Sequence, residues 1–312
     1  MATTQQRASE SQAPDLVEET THRSLRSDVW RQFRRHKGAV VGLVLLGLIV
    51  FSVAFGPMLW GGDGVTPDTA NASLPPSREH PMGTDNLGRD VMARVLVGGR
   101  ISLAVGITAM IVGVFLGTAA GILSGFFKRL DGPLMRITDL FLALPILPLL
   151  LVVIMLFREP LADALGANTG IFILVVGIIG VTSWMQTARV VRGEVLSVKE
   201  EEFVLAAQSI GTRKSNIVLR HILPNVLSPV MVSAALGVAI AIITESALSF
   251  LGLGFPSNFP TWGRLLFDAK DYLKLSPMRV IWPGIMISLT VISVNFIGDG
   301  LRDALDPRLR SR

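Results

Sequence analysis

Six apolar runs separated by polar segments set the plan of this chain, at 39–60, 101–127, 137–157, 171–188, 226–252 and 280–298. The first is uncharged for 22 residues, which as a helix covers ~33 Å, enough to cross the hydrocarbon of a bilayer. It begins too late and runs too long for a cleavable signal, so it predicts an anchor. The whole pattern predicts an all-α membrane protein with six transmembrane helices over residues 29–310. Residues 1–28 are polar, low in aromatics and expected to be disordered.

Residues 189–225 form the longest polar interruption towards the C-terminal half, and 200–224 within it read EEEFVLAAQSIGTRKSNIVLRHILP. Glu200, Glu201 and Glu202 place acidic side chains where a helix start favours them. Phe203, Ala206, Ala207 and Ile210 then recur at helical spacing on one face. Gly211 is suited to end that helix, because glycine enters the left-handed region without penalty. Two readings stand: a knob that docks another protein, or a short helix lying on lipid or on its own bundle.

Inside the runs, Gly113, Gly117, Gly121 and Gly125 fall every fourth residue on one helical face. Such a ridge admits a neighbouring helix to backbone contact, for sliding or for static close packing. Pro145 and Pro148 predict a bend in the third run. Arg136 and Asp139, spaced i and i+3, are expected to pair. Glu245 is the carboxylate well inside an apolar run, which fits a pathway role or a helix-to-helix hydrogen bond. A proton relay would want several such groups in series.

Two segments between runs are more patterned than ordinary loops. Residues 75–100 carry the turn formers Gly83, Asp85, Asn86 and Gly88, then Asp90 placed to cap a short helix. Residues 252–277 carry Gly254, Pro256, Pro260 and Trp262, then an amphipathic stretch with Arg264. A lid and a landing site for an outside protein both suit them.

Composition narrows the class. Half the residues are hydrophobic and 17% are charged, as for a polytopic membrane protein. The formal charge of +5 then belongs to loops rather than to a nucleic-acid site. With the N-terminus in the cytoplasm, inner segments hold 20 of the Lys and Arg residues and outer segments 9, so the positive-inside rule puts both termini and residues 189–225 in the cytoplasm. There are no cysteines, and the four histidines are scattered without ligand spacing. No G-x-x-x-x-G-K-[ST] occurs among the six lysines, so the chain has no phosphate cradle of its own. No metal cluster or nucleophile–base spacing is evident, and no catalytic residue is assigned.

Several blocks resemble one family. In 200–224, Ala206, Ala207, Gly211, Leu223 and Pro224 fall in register with the EAA loop of ABC-transporter permeases, with Leu205 where the pattern has glutamate and His221 where it has isoleucine. HPMGTDNLGRDVMARVLVGGRISLAVG (80–106), LMRITDLFLALP (134–145), ALSFLGLGFPSNFPTWGRLL (247–266) and GDGLRDALDPRLR (298–310) are similar to the signature blocks of the second permease of dipeptide/oligopeptide ABC importers. The resemblance runs from about residue 30 to 310. It implies a type I importer fold in a bacterial or archaeal cytoplasmic membrane, working with a homologous second permease. It also implies two ATPase subunits that hold ATP and magnesium, and an extracytoplasmic solute-binding protein.

On that resemblance, Glu202, Phe203, Leu205, Ala206, Ala207, Ile210, Gly211, Leu223 and Pro224 would make the coupling helix gripped by an ATPase. Gly113, Gly117, Gly121, Gly125, Pro145 and Glu245 would serve the translocation path or helix packing. Asp85, Arg89, Asp90, Trp262 and Arg264 would meet the binding protein. The expected cargo is a di- or oligopeptide, with nickel, glutathione or another small solute as the alternative. An ion-coupled secondary transporter is the rival class.

Overall fold

Prolines and buried charges, more than hydropathy, decide where the helices of this chain break. The computed structural model describes residues 25–305 apart from Asp63; the disorder expected of residues 1–24 lies outside the described residues. Residues 25–28, assigned to the tail by composition, instead open helix α1 (Leu25–Arg35). That helix is held because Phe33 is buried against Ala39 and Ala304. His36 then caps α2 (Lys37–Trp60), its Nδ1 accepting the Ala39 N–H at 3.0 Å.

Pro57 lies inside α2 and removes the donor for the carbonyl four residues earlier, that of Val53. Arg100 supplies the missing donor from the next helix, its Nε donating to Val53 O at 2.9 Å and its Nη2 to Ala54 O at 2.6 Å. A cation just before the second apolar run thereby repairs the backbone of the first helix.

The second crossing and the short helix expected before it are one element, α3 (Val91–Phe126), 36 residues long. At 1.5 Å per residue this is ~54 Å, well beyond the hydrocarbon thickness. Asp90 caps it, its Oδ1 accepting the Ala93 N–H at 2.8 Å. Nothing breaks the helix at Gly98 and Gly99, since Gly99 is pressed against Val53 and Trp262.

In place of a single kinked crossing at 137–157 there are two helices, α4 (Lys128–Ala143) and α5 (Ile146–Leu165), meeting at 89°. Pro145 begins the second, and with no N–H to offer it cannot continue the first. Helix α6 (Ala167–Val198) runs ten residues past the expected end at 188. Its extra turns bury Val191, Val195 and Val198 in a cluster with α7 and α9, and Arg189 and Arg192 pair there with Asp139 and Asp131 on α4. Asp139 thus pairs with Arg189 rather than with Arg136.

Helices α7 (Glu202–Ser209) and α8 (Lys214–Ile217) follow, then a π turn at Val218–Ile222 that leads into α9 (Leu223–Phe250). The widened turn, in which Leu223 N–H bonds to Val218 O, precedes Pro224, whose missing donor disturbs the regular ladder. The chain closes with α10 (Trp262–Ala269) and α11 (Met278–Leu305). Among the described residues there is no strand beyond one isolated bridge, Thr84 to Asp90.

Among the described residues five helices are long and apolar enough to cross a membrane, and the bent α4–α5 pair makes six if counted as one span. Helices α3 and α6 form the central pair and run parallel, since Gly113 faces Ser183, Gly117 faces Thr187, Gly121 faces Val191 and Gly125 faces Val195. Helix α9 closes one side of this pair, with Gly106 of α3 against Ile242 and Gly237 against Met110. Helix α11 carries α2 antiparallel to it, Gly42 on Ser293 and Gly300 on Ala39.

Candidate transport cavity, coupling helix and outer latch

The glycine ridge is a packing device. A Cβ at Gly117 would fall 2.6 Å from Trp184 O and from Thr187 Cβ, and one at Gly121 would fall 2.6 Å from Val191 Cβ. Backbone contact of this kind fixes the register of α3 on α6 at four successive turns.

Beside that seam an open cavity of about 470 Å³ lies between α3, the α4–α5 elbow, α6 and α9. Its polar groups are hydroxyls and one amide, including Thr182, Gln186, Ser233 and Thr244, set among aliphatic and aromatic carbons. The residues on either side of Pro145, Leu144 and Ile146, form its edge, so the break in the third crossing shapes the cavity wall. No residue in the lining is acidic, basic or a histidine. Sequence reading missed these positions, because isolated Thr, Ser and Gln side chains in apolar helices carry no spacing signal.

Glu245 is not among the lining residues. It is fully buried, accepting from Ser249 Oγ at 2.7 Å and from Ser102 Oγ at 3.3 Å. Ser102 Oγ in turn accepts the Trp262 N–H at 3.1 Å. Of the two roles left open by sequence, the structure places it in the second: a hydrogen-bonded tie between α9, α3 and the start of α10.

At the other end of the bundle, α7 is anchored by Val204 and Ala207, both buried with Val195, Val198, Ile217 and Ile222. The inward face therefore differs from the expected one. Phe203 and Leu205 are each 45% exposed and Ile210 is 82% exposed, while Ala206 is also exposed. Gly211 ends the helix with φ at +78°, and Leu223 and Pro224 lie beyond the π turn, half-buried and exposed respectively. Glu202 sits in the first turn of α7 and is exposed. What remains is a small helix fixed by two side chains, with Phe203 and Ile210 exposed along one edge and Leu205 on the opposite side. His221 stacks obliquely on Phe203, ring centroids 6.2 Å apart.

The residues expected to meet a binding protein are mostly inside. Asp85, Arg89 and Trp262 are buried, so they are corrected from contact residues to structural ones. Asp85 Oδ2 accepts from Arg89 Nε and from Arg94 Nη1, both at 2.7 Å. Arg94 Nη2 reaches Asp268 at 3.0 Å and Ser257 O at 3.1 Å. Arg264 Nε closes the group on Asp268 at 2.9 Å. Asp90 is taken by its cap and by His80, Nδ1 to Oδ2 at 2.7 Å. Trp262 is fully buried, its indole donating to Val95 O at 2.9 Å.

Burial pushes the Asp85 carboxyl up, but the Arg94 and Arg89 guanidiniums and the hydrogen bonds from Arg89 and Leu87 hold it below the usual carboxylate range. The network latches the segment after α2 to the segment after α9, two regions the sequence could only describe separately. Gly88 serves it, with φ at +77° and a would-be Cβ inside Asp68 O.

Comparison with known proteins places this arrangement. Residues 113–311 match the model of the binding-protein-dependent transport system inner membrane component. Residues 24–76 match the N-terminal TM domain of oligopeptide transport permease C. The chain is 40% identical over 288 residues to the oligopeptide transport system permease protein OppC of Bacillus subtilis, covering 92% of this chain and 91% of that one. It is 41% identical over 295 residues to OppC of Escherichia coli K12, covering 94% of each. The dipeptide transport system permease protein DppC of Alkalihalophilus pseudofirmus is 37% identical over 303 residues, covering 97% and 96%. A multi-pass membrane chain with these matches is a permease: it belongs to the family of binding-protein-dependent transport system inner membrane components.

Proposed function

We propose that the chain forms half of the translocation path of an ATP-driven peptide importer in the cytoplasmic membrane, with both termini on the cytoplasmic side. The carrying observation is α7, held by Val204 and Ala207 while Phe203 and Ile210 stay exposed along one edge. An apolar edge on a rigidly anchored short helix suits the groove of a partner. The charge distribution, 20 Lys and Arg against 9, supports placing that helix in the cytoplasm.

In this reading two ATPase subunits bind ATP and magnesium and close on hydrolysis-linked cycles, carrying α7 with them. A homologous second permease faces the open side of the cavity, and a solute-binding protein delivers cargo from outside. Peptide cargo is supported by the named transport systems of the relatives. It is supported as well by a cavity wall of hydroxyls, an amide and aliphatic carbon, which reads a peptide backbone without selecting a side chain.

Uptake in proteoliposomes holding the chain with its partner subunits tests the proposal. Labelled dipeptide should accumulate with internal or external ATP on the ATPase side and stop on ATP depletion, while collapse of ion gradients leaves it intact. Uptake that follows the ion gradient, or nickel transported in preference to dipeptide, would overturn it.

A further inference from the structure

A second cavity, of about 780 Å³, opens where the ends of α3, α4, α6 and α8 converge beside α7. Lys128, Arg129, Lys199 and Lys214 line it, against the single carboxylate of Glu200. Lys128, Arg129 and Lys214 have no ion pair among the described residues, while Lys199 reaches Gly125 O at 3.4 Å and adds its field to that of Arg192 at Asp131. Asp131, in the first turn of α4, is already held by Arg192 through two hydrogen bonds. Four cations brought together around one acid repel one another, and an anion in the space relieves that cost.

Two further features bear on what the anion is. Helix α4, 16 residues long, starts at this cavity with no side-chain cap, so its positive end adds to the field. Phe126 and Phe127 form an edge-to-face pair at the cavity wall, with ring centroids 5.0 Å apart. The neighbouring Leu123 and Leu130 are each 41% exposed. Cations beside exposed apolar side chains, at the end of a membrane-length helix, match a molecule that is anionic at one end and hydrocarbon at the other.

We infer that this cavity binds the phosphodiester headgroup of an anionic membrane lipid, with the acyl chains running along Leu123 and Leu130. Leu205 and Gln208 of α7 share the wall, so the headgroup bridges the elbow of the third crossing to the coupling helix. The leaflet it comes from rests on the proposed orientation; the chemistry of the site does not.

The test uses the full chain, purified with its accompanying subunits in nanodiscs of phosphatidylcholine with or without phosphatidylglycerol. Native mass spectrometry counts the lipid retained after release. Phosphatidylglycerol should stay bound to the wild type and phosphatidylcholine should not. The pair Lys128→Gln with Lys214→Gln removes two charges and should weaken retention roughly 30-fold. The exposed pair Arg78→Gln with Lys274→Gln, on the other side of the molecule, should leave it unchanged. Monodisperse elution of both variants shows that the fold is intact.

Equal retention in the Lys128/Lys214 variant, or equal retention of phosphatidylcholine, overturns the site. Displacement of the lipid by inorganic phosphate alone overturns the lipid as its source. Retention seen solely when the ATPase subunits are stripped away also overturns it, by showing that an acidic stretch of protein is the occupant.

Discussion

Arg94 is 1% exposed and spends its guanidinium on Asp85, Asp268 and Ser257 O. Removing it leaves buried Asp85 with Arg89 and part-buried Asp268 with Arg264, so the cost falls below the ~3–5 kcal/mol of breaking a buried pair outright. Arg94→Ala should lower the thermal midpoint of the purified complex. Arg94→Lys should fail to restore it, because an ammonium lacks the planar fork that reaches both carboxylates.

Asp85 adds a pH dependence of known sign. Its folded pKa lies below the usual carboxylate range, so its contribution is fully present above the unfolded value and is lost as pH falls through the folded one. Melting in acid should steepen below about pH 4, and Asp85→Asn should flatten that steepening while lowering stability at neutral pH. A second pair of substitutions separates packing from composition. Gly117→Val should cost about 1–3 kcal/mol by overpacking. Gly177→Ala, with nothing within 4 Å of the added carbon, should be neutral.

The ridge containing Gly117 was legible in the sequence, because a period of four needs no partner to be seen. The Arg94–Asp268 pair was not: its members are 174 residues apart, and spacing reports only neighbours along one helix.

At the level of elements, α7 shows how much a short helix hides. Its acidic start and its stop at Gly211 followed from local chemistry. Which side faces in did not, since eight residues give two usable faces and the choice belongs to Val195, Val198, Ile217 and Ile222. The reassignment changes what substitutions do. A bulky residue at Ala207 would strike the chain's own core, so it is a poor probe of docking. Ile210→Asp should abolish co-purification with the ATPase subunits and leave insertion unchanged, whereas Val204→Asp should lower the yield of folded chain.

The α4–α5 elbow has the same lesson. Pro145 announced a bend, but not the right angle of 89°, in which α4 pairs with α6 through Asp131–Arg192 and Asp139–Arg189. Those contacts cross about 50 to 60 positions, beyond the reach of periodicity.

For the whole molecule, six apolar runs foretold a helical membrane protein, and its blocks of sequence foretold the family. They said nothing of the open cavity, which exists because α3 and α6 press together on glycine while α4–α5 folds aside. In the proposed reading the uncharged cavity is half of a path, and motion enters it through the exposed edge of Phe203 and Ile210. The most direct measurement is ATP-driven dipeptide uptake by proteoliposomes containing the complex with wild-type chain or with Ile210→Asp. Uptake and stimulated ATP hydrolysis should fall together to background in the variant, with the chain still inserted. Uptake at the wild-type rate in the variant, or in vesicles holding the chain without any ATPase subunit, would contradict the proposed reading.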